Sequence, residues 1–140
     1  MEKKIIFLLL VTVISTVAAI SQDTEVKHPI EEKLSKCLDD SITNVGMCNC
    51  LTAAAVAWDK ELNKYYKLLK DELEEPAQLL LRESQRKWIT YRDNEIKFID
   101  HYYSEVKVGT MYSMFAEDRK KEIVKQRAEE LRQYYEELEY

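Results

Sequence analysis

Apolar side chains recur at steps of three and four along most of the chain after Pro29, and a few punctuating residues separate the stripes. Pro29 opens a short helix in which Ile30, Leu34 and Cys37 or Leu38 share a face, and Asp39-Asp40-Ser41 ends it. Asn44 is the expected N-cap of the next helix, with Gly46 and Met47 in its first turn. That helix carries Leu51, Ala55, Trp58, Leu62, Tyr66, Leu69 and Leu73 on one face until Glu74-Glu75-Pro76 breaks it. Pro76 suits the first position of a third helix, whose stripe is Leu81, Gln85, Trp88, Arg92, Ile96, Ile99 and Tyr103. A break around Gly109 precedes a last helix with Val124, Ala128, Leu131, Tyr135 and Leu138 on its inner face. Long helices of this kind must bury their stripes against one another. The pattern predicts an all-α fold: an antiparallel bundle of three long helices plus a short N-terminal helix.

The first residues follow a different logic. Lys3 and Lys4 precede an apolar run from Ile5 to Val17, and Ala18, Ala19 and Ser21 supply small residues for cleavage. This is the layout of a signal peptide over residues 1–21, leaving a single domain over residues 22–140. The run is short of the ~20 residues of a membrane span, so no anchor is expected after cleavage. No cysteine follows it to take a lipid.

Composition narrows the partners. Charged residues make up 34% of the chain with both signs interleaved, which is a solvated helical surface. Export removes one acid and two bases, taking the net charge from -5 to -6. Phosphate contacts need a basic face, so nucleic acid is a poor partner and a basic protein a better one. The three cysteines, Cys37, Cys48 and Cys50, all lie in the mature part, and in an oxidising compartment two of them should pair. They do not form a Cys-x-x-Cys, and with only His28 and His101 to help them no metal site or cofactor is expected.

Gln85 and Arg92 stand out because they sit inside an apolar stripe. A buried arginine requires a facing carboxylate. With the hairpin centred near Glu75, Arg92 comes opposite position 58, and Asp59 is within reach. Trp88 faces Leu62, Gln85 faces Tyr65 or Tyr66, and Asn63 lies one turn from Asp59 on the same flank. An Arg92–Asp59 pair hydrogen-bonded by Asn63 or Gln85 would fix the register of two helices otherwise able to slip. The same cluster could instead line a site. Catalysis would need a nucleophile with a base, or two carboxylates with separated pKa values. Asp59 with Asp93 or Glu95 is the best such pair and His101 the best lone base, but neither has the accompanying groups. No catalytic residue is assigned.

These residues, taken together, resemble a known family. Cys37, then Gly46-Met47 and Cys50, Trp58-Asp59, Glu61-Leu62-Asn63 and Tyr66, then Gln85, Trp88 and Arg92-Asp93 are similar to the lysozyme inhibitor LprI-like N-terminal domains, small exported helical proteins of bacteria. Gly109-Thr110-Met111-Tyr112 and Arg127-Ala128-Glu129-Glu130-Leu131 resemble the tail of its longer members. The resemblance implies that Cys50, not Cys48, is the partner of Cys37. Two departures stand beside it: Ile96 occupies a position where many relatives carry a further cysteine, and Cys48 has no usual counterpart. The resemblance implies a periplasmic or secreted binding protein, with lysozyme or another basic envelope protein as partner. The alternative is a structural or interaction protein of the envelope with no lysozyme role. No exposed loop reads as a plug for an active site.

Overall fold

The computed structural model describes residues 27–138, so the signal peptide expected over residues 1–21 lies outside the described residues. Four helices account for nearly all of that span: α1 (Pro29–Asp39), α2 (Asn44–Glu72), α3 (Glu75–His101) and α4 (Tyr112–Glu137). A π-helical turn, Tyr102–Val106, extends α3.

The helix ends follow from local chemistry, with one correction. The cap of α2 is Thr43, whose Oγ1 accepts the Gly46 N–H at 3.0 Å, and Asn44 is already the first helical residue. Gly46 fits a tight corner: a Cβ there would lie 3.1 Å from Thr43 Oγ1 and 3.3 Å from Ser41 Oγ. At the other end Leu73 turns to extended backbone, and its carbonyl accepts from the Gln78 side chain at 2.6 Å. With only Leu73 and Glu74 between them, α2 and α3 must run antiparallel. Glu75 then meets the positive end of α3.

The core lies chiefly between α2 and α4. Trp58, Leu62 and Leu69 of α2 pack with Val124, Ala128 and Leu131 of α4, and Ile30, Leu81 and Trp88 close the sides. A second cluster joins Leu34 of α1 to Cys50, Leu51 and Ala54 of α2. Thr52 hydrogen-bonds Glu117 at 3.1 Å and Cys48 reaches Ser113 at 3.5 Å, so α2 and α4 run in the same direction with α3 returning between their ends. This is the closest-packed helix pair, whereas the hairpin register drew attention to α2 facing α3. Ala128 is buried in the core between α2 and α4 and lets those backbones approach, while Leu81, Trp88 and Arg92 of α3 remain only partly buried. Only Gln85 and Ile99 of α3 are buried. Leu138 lies beyond the end of α4 and is half exposed, so the inner face stops at Tyr135.

The α3–α4 connection is held from within. Lys107 N–H bonds the Tyr102 carbonyl at 2.9 Å, the wider spacing of a π turn. Phe98, Tyr102, Tyr103, Tyr112 and Phe115 form an unbroken series of ring contacts at 5.1–6.4 Å. Gly109 has φ +142°, a region side chains rarely adopt, and sits against the Tyr112 ring. Among the described residues no helix is long and apolar enough to cross a membrane.

Candidate functional site

The polar groups foreseen as one cluster separate into two, and a third was not foreseen. Asp59 and Asn63 are one turn apart on α2, and Asn63 Nδ2 donates to the Asp59 carboxylate at 2.9 Å and its carbonyl at 2.7 Å. Arg92 comes within 4.0 Å of Asp59, as the hairpin register implies, but its near partner is its neighbour Asp93, at 2.8 Å. The Arg92 side chain is a quarter exposed and Asp59 about half. Arg92 also lies over the Trp88 ring, 5.3 Å from its centroid. The cluster is therefore a solvent-facing seam between α2 and α3, not a buried lock. The reason is the distance of α3 from α2, which leaves room for water beside the guanidinium.

Gln85 does not join that seam. It is buried, and its Oε1 accepts from Arg127 Nε of α4 at 3.1 Å. Arg127 is the buried arginine of the fold. Its guanidinium also donates to Ser84 at 3.2 Å and to the Glu130 carboxylate. Sequence reasoning put Gln85 on the inner stripe correctly but gave it the wrong neighbour helix. The signal for Arg127 was its place between Val124 and Leu131 on the inner face of α4.

The third cluster is built around Trp58. The indole is 2% exposed, so its N–H needs an acceptor, and Glu31 of α1 supplies one at 2.9 Å. His28 lies over the ring at 4.4 Å, and Lys125 of α4 reaches both Glu31, at 3.3 Å, and the ring face. Burial pushes the Glu31 carboxyl up, but the Trp58 N–H with Lys121 and Lys125 outweighs it and holds the group below the usual glutamate range. Lys121 itself is buried; burial lowers its pKa, and Glu122 and Asp118, at 2.7 and 3.0 Å, more than restore it. Trp58 thus ties α1, α2 and α4 together through one carboxylate. A buried tryptophan implies such an acceptor, but only the docking of α1 names Glu31.

The cysteines divide as the resemblance implies. Cys37 and Cys50 form a disulfide with Cα atoms 5.8 Å apart, stapling α1 to α2, and Cys48 is a free, half-buried thiol. Leu62 is buried, and Tyr66 and Trp88 pack partly buried against the same core.

Two depressions deserve chemical scrutiny. A cleft of about 430 Å³ is bordered by Lys27, His28, Glu31, Lys125, Glu129 and Arg132. Its cations and acids are interleaved, and Glu31 there is committed to Trp58 and Lys125. An apolar groove of about 320 Å³ runs between α1 and α2 along Ile30, Leu34, Ala53 and Ala57. Neither brings a nucleophile to a base. Among the described residues no three His, Cys, Asp or Glu side chains are grouped to hold a metal ion.

Comparison with known proteins agrees with this reading of the fold. The family model described as Lysozyme inhibitor LprI matches residues 37–131, more than half of the chain. The crystal structure of an uncharacterised protein from Burkholderia thailandensis superposes with a TM-score of 0.73 at 28% identity. That match covers 79% of this chain and 55% of the other, so the chain spans about half the length of that relative. None of the curated proteins matches.

Proposed function

From the premise that the chain belongs to the lysozyme inhibitor LprI family, we propose that it is an exported binding protein of the bacterial envelope that inhibits lysozyme. The observation that carries this reading is the family match across the disulfide, both tryptophan motifs and most of α4. Three further features support it. The Cys37–Cys50 disulfide suits an oxidising compartment, periplasmic or secreted. The apolar run before Ser21 supplies a route there, with cleavage leaving residues 22–140. The net negative charge favours encounter with a basic enzyme and makes the association sensitive to salt. The protein acts by occupying its partner, without turnover of its own.

The test is a lysozyme turnover assay on a cell-wall suspension with the purified exported protein. Saturable inhibition that weakens as ionic strength rises is the expected result. Full turnover at an excess of inhibitor over enzyme, across several lysozymes, would refute the reading.

A further inference from the structure

Ser104 to Met111 are eight consecutive exposed residues at one end of the bundle, and several of them are apolar. Val106 is 58% exposed, Val108 84% and Met111 53%, with Lys107 between the two valines. The α1–α2 turn lies at the same end, since Cys48 near the start of α2 meets Ser113 near the start of α4. Ile42 and Val45 of that end are 95% and 70% exposed. A short connection needs none of these side chains to close, and water disfavours so much apolar surface at one end unless something covers it. At the opposite end, Leu73 and Glu74 alone link α2 and α3, and the exposed Leu79 and Leu80 nearby lie on the helix itself, not on a projecting connection.

The segment is also anchored at both ends. The π turn, the ring series from Phe98 to Phe115 and Gly109 against Tyr112 fix its path. Ser113 Oγ donates to the Thr110 carbonyl at 2.7 Å, and Tyr112 N–H to that of Gly109 at 3.1 Å. A loop anchored in this way loses less conformational entropy on binding than a free one. Lys107, at its centre, has no carboxylate within ion-pairing distance among the described residues.

Resting on the lysozyme-inhibitor reading, we propose that Val106–Met111 is the segment that enters the substrate cleft of lysozyme, with Ile42 and Val45 against the rim. The chemistry matches on both sides. A retaining glycosidase holds two carboxyl groups about 5 Å apart in an open cleft. An ammonium on a loop anchored at both ends fits between them, and valines on either side meet the surfaces that bind the apolar faces of sugar rings. The acidic remainder of the molecule then faces the basic exterior of the enzyme.

The purified exported protein and three variants test this. Lys107→Glu and Val108→Asp alter the loop, and Leu80→Asp places the same kind of charge on an exposed residue toward the far end. Inhibition competitive with a soluble chito-oligosaccharide substrate is expected, with KM raised and kcat unchanged. Lys107→Glu should weaken inhibition about thirtyfold or more, as loss of one partner of a desolvated charge pair does. Val108→Asp should also weaken it, while Leu80→Asp stays at the parent value and all three melt like the parent. If the parent inhibits but Lys107→Glu and Val108→Asp inhibit equally well, the loop assignment is overturned and the inhibitor reading stands. Inhibition that lowers kcat without raising KM would likewise overturn insertion into the cleft. A parent that inhibits no lysozyme overturns both.

Discussion

Replacing Arg127 by methionine should destabilise the fold far more than the same change at Arg92. The Arg127 side chain is 8% exposed, and its Nε–H is the donor to a buried Gln85 carbonyl. A hydrogen bond involving a charged group contributes about 1.5–3 kcal/mol, and its loss leaves the Gln85 carbonyl without its donor. The pair with Glu130 on the same helix adds a few tenths of a kcal/mol, because that carboxylate is half exposed. Methionine keeps much of the apolar stem packing. The expected loss is about 2–4 kcal/mol, or roughly 10–20 °C in Tm for a domain of this size. Arg92 is different. It is a quarter exposed, it meets Asp59 only at 4.0 Å, and Asp93 is half exposed. Solvent screening leaves such pairs about 0–1 kcal/mol, with a similar amount from the Trp88 ring. Urea unfolding followed by the helical circular dichroism signal gives both values. Adding Gln85→Met to Arg127→Met should cost less than the two single losses together, because the unpaired amide goes too. If Arg127→Met unfolds within about 0.5 kcal/mol of the parent, or Arg92→Met is the costlier change, the assignment of the buried lock to α3 and α4 is wrong.

Glu31 gives a pH test. Its folded carboxyl sits below the usual glutamate value, so the ionised form favours the native state, and that stability is present at neutral pH. It disappears as pH falls from the ordinary range near about 4.3 through the lower folded value. Glu31→Gln keeps an acceptor for Trp58 but has no charge to lose, so the stability gap to the parent should shrink between pH 6 and pH 3. A gap that stays constant, followed by chemical unfolding, would contradict the coupling to Lys121 and Lys125. For the disulfide, peptide mapping without reduction should find Cys37 linked to Cys50 and Cys48 open to alkylation. Cys37→Ser with Cys50→Ser should lower stability by roughly 3 kcal/mol, the chain-entropy value for a loop this short; a Cys37–Cys48 link would sink the assignment.

Helices and their faces were legible in the sequence because each face repeats with the helical period. Trp58, Leu62, Leu69, Val124, Ala128 and Leu131 all fall where the stripes put them. Helix neighbours were less so. The two-residue hairpin made α2 and α3 the natural pair, and the register brought Arg92 to Asp59. Which helices pack closest depends on how the stripes of separate helices meet, and a stripe read along one helix does not name its partner. Gln85 was therefore placed inside, correctly, but turned toward α2 when its partner is Arg127. Glu31 could not be singled out at all, because the two adjacent glutamates in the first turn of α1 look alike until the helix docks and one of them meets Trp58. The exposed loop escaped for a related reason: residues around Gly109 read as a break, and a break says nothing of how far its side chains project.

The residues that mark the family divide between the interior and the solvent-facing seam of Asp59, Asn63, Arg92 and Asp93. Trp58 and Leu62 are each 2% exposed, Gln85 is 8%, and the cysteines of the motif are bonded to each other. A side chain without accessible surface can hold a helix in place but cannot touch a partner. The buried part of the motif can act only through the bundle, so contact with a partner falls to the exposed seam or to residues outside the motif. In this chain the segment from Val106 to Met111 combines high exposure, apolar character, a cation with no ion-pair partner among the described residues, and anchored ends. Relatives that keep the two tryptophan motifs but carry a different α3–α4 connection should keep the fold and change partners. Exchanging that connection between two members, and following inhibition together with melting, separates the two roles: inhibition should travel with the loop while the melting temperature stays with the bundle.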